Sequence, residues 1–155
     1  RSPSRGLGDV YKRQPLALAE AYYRKLSRVA EATGCEIVGH FDLLTKFNEG
    51  GSFFDESSPR YQKAALDALD ALSGKELIFE INTGAISRGY RTTPYPAPFL
   101  LQELCRRGEA ICITSDSHSA DTILYAFAQA TELARSCGFT ESMVLTEKGF
   151  IPQPL

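Results

Sequence analysis

The run Ala110-Ile111-Cys112-Ile113-Thr114-Ser115-Asp116-Ser117-His118 is apolar for the length of a strand and then turns abruptly polar, with an Asp and a His two positions apart. A short apolar run bounded by turn residues reads as a buried strand. Upstream, Leu77-Ile78-Phe79-Glu80-Ile81-Asn82 repeats the pattern and ends in Asn82. Further upstream, Cys35-Glu36-Ile37-Val38-Gly39 runs into His40-Phe41-Asp42, the His and Asp now in the reverse order. Helical patterns separate the strands. Residues 16–32 carry Leu18, Tyr22, Leu26, Val29 and Ala30 at helical spacing, with Gly34 as the stop. Ser58 offers an N-cap with Pro59 at the first helical position, and Tyr61, Ala65, Leu66, Leu69 and Leu72 line one face up to Gly74. A Gly- and Pro-rich passage over 83–98 leads into a helix with Leu100, Leu101 and Leu104, closed by Gly108. A fourth helix is expected from Asp121 to about Ser136 through Leu124, Phe127, Ala128, Thr131, Leu133 and Ala134. Met143-Val144-Leu145, the turn Glu147-Lys148-Gly149 and Phe150-Ile151 then predict a closing strand or hairpin.

Apolar strands alternating with helices imply an α/β fold of parallel β/α units with right-handed crossovers, in an open sheet or in part of a closed barrel. The barrel accounts for more. Active sites of β/α barrels collect at the carboxyl ends of the strands, and here three successive strands end in His40, Asn82 and Asp116, each followed by a loop.

The 155 residues, 43% hydrophobic and 23% charged, are the composition of one ordinary globular domain. With no long apolar run and no leader pattern, a cytoplasmic protein is expected, with no membrane partner. Cys35, Cys105, Cys112 and Cys137 show no CxxC spacing and lie in apolar segments, as reduced core thiols do. Residues 1–14 carry neither period nor core pattern, and Asp9-Val10-Tyr11-Lys12-Arg13-Gln14 matches the in-frame translation of a transposon sequencing adapter. They are therefore read as a non-native segment, and 15–155 as the native domain. Setting aside the four basic residues and one acidic residue of that segment moves the net charge from −2 to −5, which argues against nucleic acid as a partner.

His40 and His118 are the only two histidines in the chain, and each has an aspartate two positions away. Asp116 and His118 bracket Ser117, so in an extended turn their side chains leave on the same side, as two groups binding one cation would. Carboxylate and neutral imidazole together suit zinc, manganese or iron. The competing readings are structural: Asp116 capping a helix that starts near Ala120, and His40 satisfied by a backbone carbonyl. Asp42 reads as a cap of the short helix through Leu43 and Leu44, or as the carboxylate that orients His40. Glu80 and Asn82 share one face of their strand. Glycines around 50 mark a surface loop that could belong to a lid. The 84–91 loop carries two guanidinium groups suited to phosphate; Arg88, nearer the strand end, is favoured over Arg91, and Lys46 is a candidate for a further positive charge.

Taken together, Ile37-Val38-Gly39-His40-Phe41-Asp42-Leu43-Leu44-Thr45-Lys46-Phe47-Asn48, Glu80-Ile81-Asn82-Thr83-Gly84, Arg88 with Tyr95-Pro96, and Ile113-Thr114-Ser115-Asp116-Ser117-His118 resemble the carboxyl-terminal part of histidinol-phosphate phosphatases of the polymerase-and-histidinol-phosphatase (PHP) superfamily. The resemblance implies part of a distorted (β/α)7 barrel and a trinuclear divalent-metal site that hydrolyses L-histidinol phosphate in histidine biosynthesis. It further implies His40, Asp116 and His118 as metal ligands and Arg88 as a phosphate-binding residue; Asp116 and His118 are taken as the catalytic residues, and Asn82 and Lys46 join Arg88 as candidate substrate-binding residues. The family's amino-terminal His-x-His motif and its middle-strand ligands have no counterpart here. This chain alone is therefore expected to be inactive, and an open sheet edge is expected to make it poorly soluble. Alternative readings are another PHP or amidohydrolase-like metal hydrolase, such as a phosphoprotein phosphatase, and a non-catalytic barrel or protein-interaction domain.

Overall fold

The computed structural model describes residues 4–155, with side chains described from Gln14 on. The first three residues of the segment read as adapter lie outside the described residues. Helix α1 (Ser4–Leu26) starts ahead of the expected position and contains Pro15, which has no N–H to give to the preceding turn. It is also shorter at its other end. The Ser27 hydroxyl donates to Arg24 O (2.9 Å), competing for a helical carbonyl, and a separate α2 (Val29–Thr33) follows. Gly34 ends α2 in the left-handed conformation at φ 67°.

Strand β1 (Ile37–Val38) precedes a 3-10 turn over Leu43–Thr45. Helix α3 (Pro59–Leu72) begins as its sequence predicts, with the Ser58 hydroxyl accepting from Tyr61 N–H at 3.3 Å and Pro59 in the first turn. A Ser58→Ala substitution is expected to lower stability by about 1 kcal/mol, read as a shift in the urea midpoint. Next come β2 (Ile78–Asn82), the one-turn α4 (Gly84–Ser87), α5 (Pro98–Arg106) and β3 (Ala110–Thr114). Beyond β3 the expected long helix is replaced by a 3-10 turn (Ala120–Thr122), an irregular link and a shorter α6 (Phe127–Ser136). Ile123, Leu124 and Tyr125 in that link are exposed, and Ala126 breaks the helix at φ 59°. Helical spacing at Leu124 therefore did not mark a buried face. The chain closes with β4 (Glu141–Thr146) and β5 (Gly149–Pro154), the antiparallel hairpin that the turn residues predict.

The fold is mixed α/β. Strands β1, β2 and β3 form a three-stranded parallel sheet in that order, with Ile37 opposite Ile78 and Asn82 opposite Thr114, and β4–β5 form a second sheet. Among the described residues β1 is an outer strand of its sheet, and Ile37 is 36% exposed. The core fills the space between the three-stranded sheet and α1, α3, α5 and α6. Leu69, Leu72, Leu100, Leu101, Leu104, Ala130 and Ala134 are fully buried there. Rings complete it, with Tyr23 5.8 Å from Phe41 and Phe41 6.2 Å from Phe79. Of the cysteines, Cys112 and Cys137 are buried and Cys35 and Cys105 half-buried, and burial, together with the charge of Glu80, pushes the Cys112 thiol up to about 12. No described helix is long and apolar enough to cross a membrane.

Candidate active site

Parallel pairing brings the carboxyl ends of β1, β2 and β3 side by side, and Glu80 ties them together. Its carboxylate accepts from the His40 N–H beyond β1 (2.7 Å), from Asn82 Nδ2 on β2 (3.0 Å) and from the Thr114 hydroxyl on β3 (2.5 Å). The close approach to His40 needs Gly39, where an added Cβ would lie 3.2 Å from Glu80 Oε2. His40 and Asp116 both adopt left-handed backbone angles, φ 26° and φ 45°. Such a conformation in a residue other than glycine costs of order 1 kcal/mol or more and concentrates at functional sites.

Arg88, at the end of α4, reaches across to the β3 end. Its Nη1 donates to Asp116 O and its Nη2 to Asp116 Oδ2, both at 2.9 Å. On the other carboxylate oxygen, His118 Nε2 lies 3.7 Å from Asp116 Oδ1. Burial works to raise the Asp116 pKa, but the Arg88 hydrogen bond and charge, joined by His118 and His40, outweigh it and hold the carboxyl below its ordinary value. His40 thus stands within electrostatic reach of Asp116 from the end of β1, on the far side of β2. Asp116 caps no helix; Ser119 occupies the cap position of the following 3-10 turn.

The other candidates fall in different places. Asn82 is 1% exposed, with Nδ2 given to Glu80 and Oδ1 accepting the Gly84 N–H at 2.9 Å, so both ends of its amide are engaged within the protein. Lys46 Nζ lies over the rings of Tyr90 (4.4 Å) and Phe47 (5.1 Å). Arg91 is buried, donating from Nη1 to Thr45 O (2.9 Å) and Thr45 Oγ1 (2.5 Å), so Arg88 is the arginine that faces Asp116. The loop around Gly50 is held rather than free. The buried Asn48 amide donates to Phe54 O (3.0 Å) and accepts from the N–H groups of Phe53 (2.9 Å) and Phe54 (3.1 Å).

Asp42 sits at the cap position of its 3-10 turn without capping it. Fully buried, its Oδ2 accepts the Ala97 N–H at 2.9 Å. Burial pushes its carboxyl up to about 6, against the opposing Ala97 hydrogen bond and Arg91 charge, with Glu56 adding to the rise. The folded state thus holds this proton more tightly than the unfolded chain, whose ordinary value is 3.8, so the contribution of Asp42 to stability falls as pH rises from about 4 to about 6. Urea midpoints of the wild type and Asp42→Asn across that window are expected to diverge in favour of the variant as pH rises. Parallel curves would contradict this.

Sequence reasoning missed the hydroxyls that shape the Asp-Ser-His turn. Ser117 Oγ donates to Ser119 O (2.5 Å) and shares a hydrogen bond with Thr122 Oγ1 (2.7 Å), while Thr83 Oγ1 donates to Tyr125 O at 2.7 Å. The run of Ser and Thr over 114–122 was the one signal available.

The donor types of Asp116, His118 and His40 are those that divalent first-row metals take. Among the described residues, however, no group of three or more His, Cys, Asp or Glu side chains is arranged to hold an ion.

Comparison with known proteins points one way. The chain is similar to two probable histidinol-phosphatases. It is 30% identical over 137 residues to the one from Deinococcus radiodurans, covering 86% of this chain and 45% of the relative. To the one from Schizosaccharomyces pombe it is 30% identical over 115 residues, covering 73% of this chain and 37% of the relative. It thus spans less than half the length of either histidinol-phosphatase relative. No family model matches it.

Proposed function

We propose that this chain is the carboxyl-terminal part of a PHP-type histidinol-phosphatase, a metal-dependent hydrolase that releases phosphate from L-histidinol phosphate in histidine biosynthesis. The observation that carries the reading is the clamp of Arg88 on Asp116, with His118 on the other carboxylate oxygen and His40 beyond the end of β1 in the same sheet. An arginine fork beside a carboxylate and two imidazoles combines phosphate recognition with metal-ligand chemistry. The sequential order β1–β2–β3 supports a partial (β/α)7 barrel, in which each strand is laid beside the one before it.

In this reading His40, Asp116 and His118 are metal ligands, and the whole protein supplies the remaining donors. Bound divalent ions supply Lewis acidity toward a phosphoryl oxygen and lower the pKa of a coordinated water. The chain's own residues do the positioning. Glu80 fixes the backbone of His40, the Gly84 turn points Arg88 at Asp116, and Arg88 offers N–H donors to the non-bridging oxygens of a phosphate monoester. Lys46, held over two rings beyond β1, is assigned to the same anion. We further read residues 1–14 as non-native, 15–155 as the domain, and the protein as cytoplasmic.

The test uses a whole protein that contains this domain. Phosphate release from histidinol phosphate is expected to be abolished by chelator and to fall about 100-fold or more in Arg88→Ala, while this chain alone releases none. Metal binding without turnover of histidinol phosphate would move the substrate to another phosphoester, and absence of both would remove the phosphatase reading.

A further inference from the structure

Asp42, Arg91 and Tyr95 each present one buried polar atom without a partner among the described residues: Asp42 Oδ1, Arg91 Nε and the Tyr95 hydroxyl. The three residues are 0%, 9% and 2% exposed. Their other bonds tether the three residues to one another. Arg91 Nη1 donates to Thr45 O and Oγ1, and the Thr45 N–H and hydroxyl donate to Asp42 O at 2.9 and 2.8 Å. Asp42 Oδ2 accepts the Ala97 N–H at 2.9 Å, two residues past Tyr95. The Arg91 guanidinium carbon lies 5.4 Å from the centre of the Tyr95 ring. The Tyr22, Tyr23 and Tyr61 hydroxyls nearby are already engaged, Tyr22 with Phe41 O (2.9 Å) and the other two with each other (2.8 Å).

Buried polar groups are paired in folded proteins, so three orphans on mutually tethered residues call for a common partner. The three atoms define its chemistry. The partner must donate to a carboxylate oxygen, accept from a guanidinium N–H, and do either toward a phenol. An anion would be repelled by Asp42, and a cation has no acceptor for Arg91. A small neutral molecule with two donors and two acceptors satisfies all three. We propose that one buried water bridges Asp42 Oδ1, Arg91 Nε and the Tyr95 hydroxyl, and so ties the segment that carries His40 to the segment 91–97. The bridge does not depend on the phosphatase reading, because no atom in it belongs to the candidate active site.

Two measurements on this chain test it. Water-selective NMR is expected to show cross-relaxation between a long-lived water and the Arg91 Nε–H, shielded as that proton is from bulk solvent. Removing one leg of the bridge with Tyr95→Phe is expected to lower the melting temperature by about 3 °C, whereas removing a hydroxyl that had no partner would raise it. A missing water signal at Arg91 Nε–H, a melting temperature that rises, or electron density placing the Tyr95 hydroxyl directly on Asp42 Oδ1 would each overturn the proposal.

Discussion

Replacing Glu80 with alanine is expected to destabilise the chain by about 3 to 4 kcal/mol, at one-half-buried carboxylate and without touching the apolar core. The argument is the number of donors it serves. Glu80 accepts from the backbone of one strand end and the side chains of two others, at 2.7, 3.0 and 2.5 Å. Hydrogen bonds to a charged acceptor contribute about 1.5 to 3 kcal/mol each, and a donor left buried without a partner costs a similar amount. Asn82, 1% exposed, has no water to turn to. His40, whose backbone sits at φ 26°, loses the bond that helps to hold that angle. Glu80→Gln keeps the carbonyl acceptor and is expected to lose about half as much. Equilibrium urea denaturation of the two variants reads both values, and a loss below about 1 kcal/mol in Glu80→Ala would sink the idea that this carboxylate joins the strand ends.

The second large effect is expected at Gly84. A Cβ there would lie 2.7 Å from Arg88 Nη2, 3.0 Å from Asp116 Cβ and 3.0 Å from Ser115 O. Arg88 can swing aside; the Ser115 carbonyl, leaving β3, cannot. Gly84→Ala should therefore displace the guanidinium and strain the turn, at a cost of about 1 to 3 kcal/mol. The sign at Asp116 follows from what holds its carboxyl low. Burial raises the pKa and Arg88 lowers it, so with Arg88 displaced the value rises toward or past that of an ordinary carboxylate. Titration of the Asp116 carboxyl carbon by NMR in the two proteins measures the difference, and an unchanged midpoint would mean that Arg88 does not need the space Gly84 leaves.

Both substitutions lie where local reading and tertiary reading part company. The strands, the α3 cap at Ser58, the stops at Gly34 and Gly108 and the closing hairpin were legible, because each depends on a few neighbouring residues and one backbone rule. The helix expected from Asp121 was misread because Leu124 meets the spacing rule while facing solvent, and spacing carries no information about whether a partner surface is there. Asn82 makes a related point. A polar residue at a strand end reads as a functional contact, and only the fold shows its amide engaged by Glu80 and by the Gly84 turn.

The alternation of strand and helix and the polar residues at the ends of β1, β2 and β3 could be read along the chain alone, since period and punctuation are local properties. Which of those residues meet depends on the fold. Glu80 binds partners 40, 2 and 34 positions away, and Arg88 reaches Asp116 across 28. Those pairings are set by parallel register and by the space left at Gly39 and Gly84, quantities that exist only once the strands lie side by side.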